Sequence, residues 1–145
     1  MAKLVLDTIE MSESFFADTA FIGIASPLPS YRFCWLVNNE MNTRFVRQSE
    51  LDIFTRSADV DKIYFQIFQY DLPLSDYKYL IYKLKNKNDH LLPEVKQLDY
   101  LWMVQSQEAE KDAELIAYDL RKIPDIQLAQ LLDITLLKKP ENLLL

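Results

Sequence analysis

Four polar residues able to do acid–base or ligand chemistry fall in one short stretch: His90, Glu94, Asp99 and Tyr100. Two carboxylates near each other can divide a proton transfer, one acting as acid and one as base. On a strand, however, Asp99 and Tyr100 point to opposite faces and cannot line a pocket from the same side. The stronger reading is structural: Glu94 and Asp99 tie down the glycine-free connection from Asn86 to Gln97, and Asp99 takes a partner such as an arginine or backbone amides. The competing reading is a small enzyme or ligand-binding domain with a pocket near Glu94, Asp99 and Arg32, to which Trp35 and His90 would add. No catalytic residue is assigned by either.

Other candidate chemistry is thinner. Cys34 and His90 are the only cysteine and the only histidine. Structural zinc sites usually take four nitrogen or sulfur ligands, so no metal is expected. A Cys34–His90 dyad would need the two brought together beside an activating group, and a buried, inert Cys34 is the better expectation. His90 follows Asp89 and reads as a solvent-facing turn residue. Lys83, Lys85 and Lys87 fall on one strand face after Tyr77 and Tyr79, a mixture that can stack on and neutralise single-stranded nucleic acid. Lysines that guard a sheet edge against aggregation explain the same pattern.

The composition narrows the classes. The 145 residues are 50% apolar and 12% aromatic, which suits one domain, 1–145, with a full core. A formal net charge of −6 disfavours general binding to nucleic-acid backbones or anionic membranes. DNA and membranes are therefore not expected as partners, and RNA is disfavoured. Gly23 is the only glycine. Glycine lets backbone approach phosphates, so Walker loops, dinucleotide fingerprints and glycine-flanked nucleophile elbows are all missing, and no cofactor is expected. The first residues carry Asp7, Glu10 and Glu13 after a short apolar run, unlike a signal peptide, and no run of about 18 apolar residues exists. With a lone cysteine, these features predict a cytoplasmic location.

The elements that must position these residues can be read in order. Lys3 to Ile9 predicts a strand, with a polar connection to Asp18, and Phe21 to Ser26 a buried strand ended by Pro27 and Pro29. Ser30 to Met41 suits helix or strand; helix is chosen, with Ser30 as N-cap and the asparagines Asn38, Asn39 and Asn42 as its end. Thr43 to Arg47 is a short strand. Lys62 to Tyr70 alternates, with Ile63, Phe65 and Ile67 on one face and Tyr64, Phe68 and Tyr70 on the other. Tyr77 to Lys85 follows, with Leu80, Tyr82 and Leu84 together. Leu98 to Gln105 is apolar on both faces, with Leu98 grouped with Tyr100, Trp102 and Val104, which predicts a central strand. These three strands form an antiparallel meander. Glu108 to Lys122 is the clearest helix, acidic at its start and basic at its end as the helix dipole favours. Ile126 to Leu132 is a last strand. The class is α+β, a mostly antiparallel sheet of five to seven strands with two main helices.

The stretch Leu92-Pro93-Glu94-Val95-Lys96-Gln97-Leu98-Asp99-Tyr100 resembles the signature of the bacterial family named for the motif Ile-Pro-Glu-x-x-x-Val-Asp-Tyr. Pro93, Glu94, Asp99 and Tyr100 match, while Leu92 and Leu98 stand for isoleucine and valine. Tyr31 to Asn38 and Ile123-Pro124 resemble further blocks of that family. The resemblance implies a small bacterial cytoplasmic protein and carries no assigned catalytic residue. Together with aromatics on two strand faces that need cover, it favours a non-catalytic binding or structural module, paired with a second copy or another protein.

Overall fold

A computed structural model of the chain describes residues 18–55, 63–137 and 143. The expected strand from Lys3 to Ile9 and nearly all of the polar connection after it lie outside the described residues.

Strand β1 (Thr19–Ala25) buries Ile22 and Ile24 on one face and Phe21 on the other. Pro27 and Pro29 then turn the chain into helix α1 (Ser30–Glu40). Its helical spacing puts Phe33, Cys34 and Val37 into the core. The N-cap is Pro29, not Ser30, and no side chain caps the helix. Ser30 is instead the first helical residue, and its hydroxyl lies 2.6 Å from Gln66 Oε1. Beyond the helix end, Asn42 takes the left-handed conformation (φ 55°), as asparagine tolerates.

The expected strand from Thr43 shortens to β2 (Val46–Arg47), because Asn38 occupies the backbone of Phe45. Asn38 accepts from Phe45 N–H at 2.8 Å and donates to its carbonyl at 3.2 Å, mimicking a neighbouring strand. A 3-10 turn at Ser49–Leu51 leads to β3 (Ile53–Thr55). The expected single strand from Lys62 to Tyr70 breaks at Gln66. Its first part, β4 (Ile63–Phe65), pairs with β3, and its second, β5 (Ile67–Asp71), joins the main sheet. Next come β6 (Lys78–Lys83), the small hairpin β7 (Lys85–Asn86) and β8 (Asp89–His90), a 3-10 turn at Pro93–Val95, and β9 (Tyr100–Gln105). Helix α2 (Ala109–Leu120) and β10 (Leu128–Leu132) follow.

Six strands form one sheet in the order β10-β1-β9-β6-β5-β2, and every pairing is antiparallel. The class is therefore α+β, with β5, β6 and β9 as the meander. One face packs Ile22, Ile24, Ile81, Tyr100, Trp102 and Val104 against α1 and α2. The other packs Leu80, Tyr82, Leu101 and Met103 under the β3–β4 ribbon, Leu84, Leu91, Leu92 and Leu98, and the C-terminal Leu137 and Leu143. Leu98 thus lies on the face opposite Tyr100, because it sits in the turn before β9 rather than in the strand.

Cover for the two-sided strands comes from the chain itself. Phe68 is buried, Tyr70 is half-buried, and Tyr64 alone of that trio is exposed. A polar anchor joins the layers: the Tyr82 hydroxyl donates to the Leu143 carbonyl at 2.9 Å. At the sheet margins, β2 is only two residues long, and on β10 Arg121 Nε donates to the Ala129 carbonyl at 2.7 Å. Short and occupied edges resist pairing with other chains. Among the described residues no helix is long and apolar enough to cross a membrane.

Gly23 is explained by close approach. A Cβ there would meet Leu98 Cδ1 at 2.6 Å, and Leu98 is itself fully packed. Gly23→Ala should overpack this contact, cost about 1–3 kcal/mol and lower Tm by roughly 3–10 °C. Thermal unfolding followed by circular dichroism checks this; an unchanged Tm would show that Leu98 yields freely.

Candidate functional site

The motif stretch is built from the second face of the sheet outward. Leu92 and Leu98 are buried anchors, and between them the chain makes one 3-10 turn opened by Pro93. Val95 N–H donates to the Leu92 carbonyl and Leu98 N–H to the Val95 carbonyl, so the turn is closed by its own backbone. Pro93 and Glu94 sit exposed at its crest.

Asp99 leaves this turn as β9 begins, and both of its carboxylate oxygens are engaged. Oδ2 accepts from the Ser26 amide at 2.9 Å, and Oδ1 accepts from Lys85 Nζ at 2.8 Å. The partners are a backbone amide, as expected, and a lysine in place of an arginine. The Asp99 amide also donates to the Ile24 carbonyl. Tyr100 points to the helix side, where its ring stacks on Phe33 with centroids 4.0 Å apart and planes 4° off parallel. Its hydroxyl donates to the Leu28 carbonyl at 2.6 Å. Burial pushes the Tyr100 phenol well above its ordinary value, with Cys34 and Asp99 adding to the shift. Asp99 and Tyr100 therefore grip the loop between β1 and α1 from opposite faces. Ser26 continues the grip, donating from its hydroxyl to the Asp125 carbonyl at 2.9 Å ahead of β10.

His90 belongs to strand β8, paired with Lys85, and is half-buried rather than a solvent-facing turn residue. Its Nδ1 is buried and has no hydrogen-bond partner among the described residues. Desolvation, then the charges of Lys85 and Lys96, hold its pKa below the ordinary value, so the ring stays neutral further into acid. Arg32 and Trp35 lie elsewhere, on the outer face of α1. With Tyr31 they line a shallow concavity of about 400 Å³ that includes none of His90, Glu94 and Asp99. The expected grouping of Arg32, Trp35 and His90 is therefore not what lines that concavity.

Cys34 is buried on the inner side of α1, and burial pushes its thiol from 9.0 up to about 12. At neutral pH it is a protonated thiol with no nucleophilic character. Among the described residues no group of three or more His, Cys, Asp or Glu side chains could hold a metal. The best-formed ion pair was not foreseen in the sequence: Arg47 grips Asp52 through two nitrogens, at 2.5 and 2.6 Å, and Asp52 also accepts from the Ile67 amide at 3.2 Å. This ties the short edge strand to β5, and the spacing of an arginine and an aspartate five residues apart across a turn was its only signal.

No protein-family model matches the chain, and neither a curated protein nor a solved structure does.

Two expectations follow. Asp99→Ala should leave the Ser26 amide and Lys85 without their acceptor, and Tyr100→Phe the Leu28 carbonyl without its donor. Each should cost about 1–3 kcal/mol in urea unfolding, and their double mutant should show coupling because both hold one loop. Strict additivity would break the link between them. Cys34 should resist Ellman's reagent at pH 8 in the native state and react fully in guanidinium. The unfolded thiol ionises near 9.0 while the folded one does not until about 12, so stability is full below pH 9 and falls as pH rises above it. Rapid labelling of the native protein would contradict the burial.

Proposed function

We propose that this chain is a non-catalytic interaction module that associates with a second copy of itself through the outer face of α1. The observation that carries the reading is the patch of Tyr31, Arg32 and Trp35. Tyr31 and Trp35 are 72% and 66% exposed one helical turn apart, with the Arg32 guanidinium beside them. Tryptophan, tyrosine and arginine are the residue types that most often dominate binding energy at protein interfaces. A large exposed tryptophan is costly to hydrate and gains much from burial.

The second copy is favoured by the chemistry of the patch. It holds a cation and two π faces within one turn of helix, so a two-fold axis through it would lay each Arg32 over an aromatic ring of the other protomer. A carboxylate partner is not required. Support for a non-catalytic role comes from the motif residues. Asp99 and Tyr100 are engaged in holding a loop, and Cys34 is an inert buried thiol. The resemblance of residues 92–100 to a family without assigned catalytic residues accords with this, as does a reduced lone thiol with the bacterial cytoplasm.

Light scattering coupled to size exclusion tests the reading. The wild type should move from the 17.1 kDa chain mass toward twice that value as concentration rises to about 200 µM. Trp35→Ser should stay monomeric with an unchanged circular dichroism spectrum. A wild type that remains monomeric throughout, or a Trp35→Ser variant that associates equally well, would overturn it.

A further inference from the structure

The β3–β4 ribbon presents a second surface, independent of α1. Phe54 and Tyr64 are directly opposite each other in the ribbon's register. Both rings face solvent, at 59% and 45% exposure, with centroids 6.4 Å apart. Exposed aromatic pairs on paired strands offer flat faces on which other planar groups can stack.

Lysines border the Tyr64 ring. Tyr64 shares a small hollow of about 40 Å³ with Gln66, Lys83, Lys85 and Asn86. Asn86 fixes the junction by donating to the Tyr64 carbonyl at 2.7 Å. Lys87 follows in a tight turn with φ 55°, and Lys96 is close enough for its charge to act on His90 together with that of Lys85. Lys85 is paired with Asp99, but Lys83, Lys87 and Lys96 are in no ion pair among the described residues. In a chain of net charge −6, residues 83–96 carry four lysines against Asp89 and Glu94. Residues 83–96 are thus net positive in an acidic chain and adjoin the hollow that Tyr64 lines.

From this juxtaposition we propose that the Phe54–Tyr64 ribbon face, with Lys83 beside Tyr64 and Lys87 and Lys96 in the segment that follows, binds single-stranded nucleic acid. Bases stack on the two rings, and the lysines neutralise the phosphates that follow the strand. The charge of the partner follows from the lysines; its planarity follows from the paired rings. A duplex keeps its bases stacked on each other and cannot use the rings. The acidic remainder of the protein keeps the contact short, and because few cations take part its salt dependence is shallow. The platform differs from the Tyr77 and Tyr79 pair singled out from the sequence. Tyr79 packs against Trp102 and Phe45 on the helix side.

Fluorescence anisotropy with labelled single strands of about 12 uridines or thymidines in about 50 mM salt tests this. Saturable binding is expected, and it should weaken several-fold as salt rises. Phe54→Ala and Tyr64→Ala should each weaken it about 5- to 100-fold. Lys83→Glu should weaken it and flatten the salt dependence. Tyr64→Leu, which keeps an apolar side chain on the ribbon and removes the ring's stacking face, serves if Tyr64→Ala does not fold. Comparing the uridine and thymidine strands shows whether the sugar matters; binding of either supports the proposal. It is overturned by no binding at about 100 µM protein in low salt, by equal binding of a duplex, by polyglutamate competing as well as the single strand, or by ring substitutions without effect. Trp35→Ser should leave this binding unchanged, which separates its failure from failure of self-association.

Discussion

Two-sided burial of β9 is the constraint on which the rest of the structure depends. Its residues Tyr100 to Val104 are all nearly inaccessible to solvent, and their side chains alternate between two separate clusters. A strand apolar on both faces requires a layer above and a layer below. Two helices supply only one of them. The other is assembled from connections: a two-stranded ribbon, the excursion between β6 and β9, and the C-terminal segment around Leu137 and Leu143. Segments that in many folds would be free to carry a binding loop are here committed to covering the core.

That commitment explains the motif stretch. Leu92 and Leu98 sink into the second layer, while Asp99 and Tyr100, at the start of β9, reach the loop that leaves the neighbouring β1 and delivers α1. The excursion and the β1–α1 loop are thereby set by the same pair of residues. Lys85 and Asp99 are each partly solvated, so their ion pair contributes at most about 1 kcal/mol. The amide and carbonyl contacts, which fix geometry, matter more. Gly23 belongs to the same arrangement, since the absence of a side chain there is what lets Leu98 approach β1.

With the interior and the motif accounted for, the chemistry left at the surface is aromatic and cationic. Besides Tyr118 on α2, whose exposed ring lies under Lys122 Nζ, it occurs on the outer face of α1 and on the β3–β4 ribbon beside β7. One combines an indole, a phenol and a guanidinium on a helix. The other combines a cross-strand ring pair with dispersed lysines. A helix and a paired ribbon present them.

Hydrophobic periodicity carried the class, the α2 helix, the meander and the central place of β9, because burial in regular elements follows periods that residues display locally, whereas the α1 stretch fitted either period. The break at Gln66 and the shortening of β2 were not legible. They depend on Ser30 and Asn38, side chains that reach partners through tertiary contact or a loop geometry no period encodes. The same holds for the site. The residue types at 94, 99 and 100 marked the stretch as special, but whether a carboxylate works as a base or as a clasp is decided by what faces it. Here Ser26, 73 positions away, and Lys85 face Asp99. Sequence alone determined which side chains must leave water; only the folded chain decided which polar groups would then be left to hold it shut.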